Sequence, residues 1–287
     1  MACWVSFCPV FRRFLQNPDL GTLSGYPVAM RVASLTCSNT EIVCALGLSH
    51  RLVGVDDHSD HPVDALEGLA RLGPDLTIDL DRLAELKPDL TLASLTVPGH
   101  EKVVEGIQQL GLQHIAPDPR CIDDIYRDIR QIADLLEVPV RGEALIDWMK
   151  KGLEPRESEI DPVPVLVEWW PKPVYVPARH SWVNQMLELA GGFNPWARSE
   201  GHSREVSPEE VISEDPQAVV ISWCGVDTHH YKPEKVITRK GWESVTAVCQ
   251  GRVVGIPEAY LGRPGPRIVE GVRRLRHLIR SVSTGTA

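Results

Sequence analysis

Residues 80–94 (LDRLAELKPDLTLAS) align without a gap on residues 208–222 (PEEVISEDPQAVVIS). Each stretch reads as a short helix, a proline turn and an apolar strand, with Asp81 falling on Glu209, Pro88 on Pro216 and Ser94 on Ser222. A chain that uses one supersecondary unit twice, far apart in sequence, is built from two similar lobes and is expected to have a cleft between them. That repeat constrains the fold more than any other feature.

The flanking pattern agrees with it. From residue 30 onward, short β-branched runs alternate with helical stretches, the order of an α/β domain. Strands are expected at 31–36, 52–55, 89–93 and 113–116, with helices at 38–46, 80–86, 99–110 and 122–136. A second series has strands at 163–168, 218–222 and 252–256, with helices at 181–190, 208–214 and about 265–281. Pro139 suits a first helical turn, and Val140, Ala144, Leu145, Trp148 and Met149 share one face, so a helix of about 24 Å is expected to bridge the lobes. The expected division is residues 1–29 as a disordered or misassigned start, 30–138 as the first lobe, 139–159 as the connecting helix and 160–287 as the second lobe. The fold class is α/β, with two Rossmann-like lobes.

Charge narrows the partners. The chain of 287 residues has 30 Lys+Arg against 39 Asp+Glu, a formal charge of −9. Phosphate backbones need concentrated positive charge, so a nucleic-acid partner is excluded, and the basic residues near the C-terminus belong to the solvated face of a helix. No run approaches the roughly 18 to 20 apolar residues of a membrane helix. A monomer is expected. Seven cysteines, at positions 3, 8, 37, 44, 121, 224 and 249 with no CxxC pair, argue against a disulfide framework. In the N-terminal segment, arginines follow the apolar run rather than precede it. Taken alone, these features point to a cytoplasmic chain.

Three constellations could line a binding site. Trp169 and Trp170 follow strand 163–168, whose carboxyl end should face a crevice. Adjacent strand residues point to opposite faces, so one indole is expected to be exposed; Trp223 follows strand 218–222 in the same way. His58 and His61 flank Asp60 in a loop after strand 52–55, with His180, His229 and His230 further on, and neutral imidazole is a metal ligand as well as a hydrogen-bonding group. Arg179 and Arg263 lie in loops and offer planar guanidinium forks; Arg71 is a weaker candidate.

Taken together, RVASLTCSNTE (31–41), VGVDDHSDHP (53–62), LKPDL (86–90), NQMLELAGG (184–192), VSPEEV (206–211) and RPGPR (263–267) resemble the substrate-binding proteins of ABC importers for vitamin B12, haem and iron siderophores, nearest to the cobalamin-binding branch. The resemblance runs from about residue 31 to 280. It implies two lobes joined by one long helix. It also implies an interlobe ligand that is a metal chelate, cobalamin first and haem or a ferric siderophore next, with no resident cofactor or metal. His58 and His61 stand where the family carries aromatic ligand contacts. Arg179 and Arg263 would meet the polar edge of the chelate, and Trp169, Trp170 and Trp223 its faces. Asp81 and Glu209 fall on acidic positions that dock onto permease arginines, although acids at helix starts are favoured without a partner. The resemblance implies an envelope location, against the cytoplasmic reading.

Two other classes stay open on sequence alone. One is a cytoplasmic corrinoid or haem carrier of the same fold. The other is a metal-dependent hydrolase using His58, Asp60, His61 and a histidine from the second lobe. None of the common motifs for nucleophilic, phosphoryl or zinc-protease chemistry is present, so a non-enzymatic role is expected, with no catalytic residue assigned.

Overall fold

Strands buried on both faces should read as continuous apolar runs, and the central strands here do: 32–34, 90–92 and 218–221 are buried at every position. The computed structural model describes residues 30–155 and 161–284. The expectation for residues 1–29, and the end of the connecting segment at 156–159, lie outside the described residues.

In chain order the first elements are β1 (Val32–Ser34), α1 (Cys37–Ala45), β2 (Leu52–Val55), α2 (Val63–Leu66), β3 (Ala70–Arg71), α3 (Leu80–Glu85), β4 (Leu90–Leu92), α4 (His100–Gln109), β5 (His114–Ile115), α5 (Ile122–Leu135) and α6 (Pro139–Leu153). The five strands form one parallel sheet in the order β3-β2-β1-β4-β5. Next come β6 (Val163–Glu168), β7 (Trp170–Pro171), β8 (Val174–Pro177), α7 (Val183–Ala190), β9 (Gly192–Phe193), β10 (Ser203–Val206) and α8 (Pro208–Glu214). The chain ends with β11 (Ala218–Ile221), α9 (Pro233–Ile237), α10 (Thr246–Cys249), β12 (Val253–Gly255), α11 (Glu258–Leu261) and α12 (Ile268–Thr284). Here a parallel sheet, β12-β11-β6-β9, is accompanied by an antiparallel one, β10-β8-β7. The α/β class with parallel sheets holds.

The chain divides into two compact units that interleave. Among the described residues, one holds 30–117 and Ile129–Asp147, and the other holds Asp118–Asp128 and those from Trp148 onward. The boundary therefore falls inside both α5 and α6. In α6 the buried stripe is Gly142, Leu145, Ile146, Met149 and Leu153. Val140, expected on that face, is 65% exposed, because at about 100° per residue it lies on the opposite side of the helix from the stripe. Gly142 is required by close packing: a Cβ there would lie 2.5 Å from that of Ala133.

The repeated unit is reproduced down to its turns. Asp79 caps α3 by accepting from the backbone N–H of Arg82 at 2.9 Å. Ser207 caps α8 by accepting from that of Glu210 at 3.2 Å, and Glu210 returns the bond to the Ser207 N–H, closing a capping box. A following proline disfavours the right-handed helical region, and both copies leave their helix through a left-handed residue, Lys87 at φ 46° and Asp215 at φ 40°. Leu83 and Val211 fall at the same point of the repeat, and both are fully buried. Each copy delivers a strand, β4 or β11, to an interior position of its sheet.

Candidate functional site

In open α/β sheets the ligand-facing loops lie beyond the carboxyl ends of the strands. In the first unit, the loop after β2 begins with Asp56, which is 0% exposed. Its Oδ2 accepts from the His58 N–H at 3.0 Å and its Oδ1 lies 2.5 Å from Ser59 Oγ. Burial pushes the Asp56 carboxyl up, and the bonds from Ser59 and His58 pull it back. Ser59 Oγ is also 2.7 Å from Thr40 Oγ1, which donates to Ser34 Oγ at 2.8 Å, so hydroxyls tie the loop to β1 and α1. Arg71 does not face outward as a free fork: its Nη1 donates to the carbonyls of Ser59 at 2.6 Å and Asp56 at 3.1 Å. It is a clamp on the loop.

His58 is displayed by that clamp, with its side chain 46% exposed, and its Nε2 stands 3.8 Å from Asp75 Oδ1. The other Asp75 oxygen is 3.2 Å from Nε2 of His100, which is buried. Val97 N–H donates to His100 Nδ1 at 3.4 Å, which assigns the ring proton to Nε2 and makes Asp75 the acceptor. The His100 hydrogen bond holds the Asp75 carboxyl below its ordinary range. Sequence reasoning missed Asp75, in the turn after β3, and His100, the first residue of α4, which are 25 residues apart. The same edge exposes Leu76 and Val97. His61 is half-buried in the His58 loop.

In the second unit, Trp169, at the bend between β6 and β7, is half-buried and Trp170, which opens β7, is 45% exposed, so one of the two indoles is exposed as expected. Trp170 pairs with Tyr175 across β7 and β8, and the Trp169 N–H donates to the Tyr175 carbonyl at 2.9 Å. Trp223 is 4% exposed and belongs to the core with Trp196 and Trp242. Its indole N–H donates to Glu168 Oε1 at 2.9 Å. Trp223 therefore supports the loop rather than forming an open wall. Arg179 is exposed and pairs with Glu200 at 3.2 Å; Arg263 is 9% exposed and its Nε pairs with Glu258 Oε2 at 3.2 Å. Each guanidinium is thus matched by a carboxylate of its own unit.

Asp81 and Glu209 occupy the first turns of α3 and α8, and both are exposed. Glu209 is held below the ordinary carboxylate range by hydrogen bonding from Ser207 and from its own backbone. The remaining histidines make local contacts: His202 Nε2 is 3.6 Å from Asp118 Oδ1, His180 meets His202 edge to face, and His229 Nδ1 is 2.6 Å from Asp227 Oδ1. Among the described residues no three His, Cys, Asp or Glu side chains are grouped to hold a metal ion. The hydrolase reading gains no metal centre there.

The model of the family described as periplasmic binding protein matches residues 32–260. The chain belongs to that family. It is 26% identical over 258 residues to an uncharacterized ABC transporter substrate-binding lipoprotein, YvrC, of Bacillus subtilis, covering 87% of this chain and 79% of the relative. It is 27% identical over 251 residues to the vitamin B12-binding protein of Vibrio cholerae, covering 86% and 88%. A solved structure, described as a possible iron-binding periplasmic solute-binding protein from Staphylococcus epidermidis, superposes with a TM-score of 0.73 at 28% identity, covering 87% of this chain and 98% of that one. The first of these is named as a lipoprotein and the last as a periplasmic protein, and the cytoplasmic expectation is not borne out by them. No helix among the described residues is long and apolar enough to cross a membrane.

Proposed function

We propose that this chain is the substrate-binding component of an ABC importer, held in the cell envelope, and that its ligand is a metal chelate, a corrinoid first and haem or a ferric siderophore next. The observation that carries the reading is Trp170, a large indole left 45% exposed just beyond the carboxyl end of a parallel strand. Family membership and the vitamin B12-binding relative support it. An aromatic face removes apolar area from water at little side-chain entropy cost, and Trp169 beside it extends the surface. His58, His61, Leu76 and Val97 at the strand ends of the first unit supply imidazole and aliphatic contacts. Arg179 and Arg263, already balanced by Glu200 and Glu258, suit the amide or carboxylate rim of a macrocycle.

Absorbance and calorimetric titration with cyanocobalamin, hydroxocobalamin, haemin and a ferric hydroxamate tests this. Binding of one of them is expected, with Trp170→Ala weakening it at least about tenfold by loss of buried apolar area. No binding to any, together with zinc-dependent hydrolysis, would overturn the reading. Asp81 and Glu209 are the proposed permease contacts, one at the same place in each copy of the repeat. Glu209→Lys is expected to abolish ligand-stimulated ATP hydrolysis by the cognate importer in membrane vesicles while leaving chelate affinity unchanged.

A further inference from the structure

At the carboxyl end of β6, a completely buried carboxylate is saturated with donors. Glu168 Oε2 accepts from Arg239 Nη1 at 2.5 Å, and Oε1 accepts from Arg239 Nη2 at 2.9 Å and from the Trp223 indole at 2.9 Å. Arg239 is 16% exposed, and its guanidinium lies 4.3 Å from the centre of the buried Trp242 ring. Hydrogen bonds continue outward from Trp223. Its carbonyl accepts from Tyr231 Oη at 2.9 Å, and Tyr231 Oη in turn accepts from the Glu258 N–H at 3.4 Å. Glu258 is the partner of Arg263. Alongside, the Cys224 N–H donates to the Trp169 carbonyl at 3.1 Å. The loops after β6, β11 and β12 are thereby joined in one hydrogen-bonded chain that is anchored at Glu168 by its ion pair with Arg239.

Removing two charges from water costs about as much as their mutual attraction returns, so such a pair adds little net stability and is better understood as fixing one arrangement. Loops fixed before a ligand arrives need not be ordered by it, which raises affinity without new contacts. We propose that Glu168 and Arg239 are positioning residues that hold these three loops ready for the ligand, and that they contribute little to the stability of the unit. The affinity part rests on the chelate-binding reading; the positioning part does not.

The test uses the full chain with Glu168→Gln/Arg239→Met, which removes both charges and keeps an acceptor for Trp223. Arg239→Lys, which keeps the charge and loses the planar fork, serves if the double variant does not fold. In ligand-free protein, amide hydrogen exchange at Cys224 and Glu258 is expected to accelerate about tenfold or more, while Val219 and Val220 of β11 exchange as in wild type. Affinity for the chelate that wild type binds is expected to fall about tenfold, with the melting temperature near that of wild type. Unchanged loop exchange, or equal acceleration of loops and strands, overturns the positioning role. Looser loops with unchanged affinity overturn its link to binding. If wild type binds no chelate, the proposed function fails and the exchange measurement still decides this inference.

Discussion

The two copies of the helix-proline-strand unit share their caps, their left-handed exits and their buried residue, yet they part at the strand ends. After β4, Ser94 Oγ lies 2.9 Å from Thr96 Oγ1 and the chain runs into an exposed Val97. After β11, Ser222 is fully buried with its hydroxyl unpartnered among the described residues, and the chain runs into Trp223 and the Glu168–Arg239 pair. The scaffold is thus set by turn and cap chemistry, which tolerates only a few residue types. The residues just beyond each strand are free of that constraint, and there one unit carries histidine, acid and aliphatic groups while the other carries indoles and a buried charge.

The equivalence of the copies is broken most forcefully in the core. Leu83→Ala is expected to cost about 3 kcal/mol and Val211→Ala about 2 kcal/mol, in proportion to the methylenes removed from equally buried sites. Calorimetric unfolding of each variant checks this; a reversed order would mean that the two sites relax differently.

Acids of the two units provide the next contrast, because they respond to pH with opposite sign. Burial pushes the Asp128 carboxyl from 3.8 up to about 6. The folded state favours its protonated form, so that contribution is complete below about 3.8 and is lost as pH rises through about 6. Asp75 is lowered by its bond from His100, so its contribution is present above its ordinary 3.8 and is lost as pH falls through the lowered value. Across pH 3 to 7, roughly the carboxylate range, Asp128→Asn should remove a decline in melting temperature as pH rises. Asp75→Asn should instead remove a decline as pH falls. Parallel profiles for the two variants would refute the assignment.

The smallest effect sharpens the comparison at the left-handed exits. Lys87→Gly relieves a strained backbone and is expected to raise stability by about 0.5 kcal/mol after the entropy of glycine is offset. Asp215→Gly relieves the same strain but loses two acceptors, since the Asp215 oxygens receive the Thr246 N–H at 2.7 Å and the Thr246 hydroxyl at 2.8 Å. It is expected to destabilise. Thermal melts distinguish the two signs.

Much of this scaffold was legible because its signals are local. Strands 52–55 and 163–168 and helix 208–214 occur at the residues the sequence assigns, and the helix expected to start at Pro139 appears as Pro139–Leu153. Two-residue strands such as β3 and β9 carry too few positions to show a period, and the β7–β8 hairpin was missed because prolines interrupt it. The site was less legible. Alternation along a strand anticipated that one of Trp169 and Trp170 would be exposed, and it is Trp170. Nothing local distinguishes Trp223, which is buried among core residues distant in sequence and whose indole N–H is held by Glu168. The same holds for Asp75 and His100, which the chain brings beside His58 only once β3 and β4 have joined the sheet.

The interleaving of the two units also bears on how the protein is made. Residues 118–128 leave the ribosome before 129–147, so a piece of the later unit is already waiting when the earlier one receives the helical segments that complete it. A nascent chain halted near residue 117 would have every strand of the first sheet and would still lack part of that unit's packing. Neither unit is a contiguous translation product, and a gene cut at any single codon would leave at least one of them incomplete.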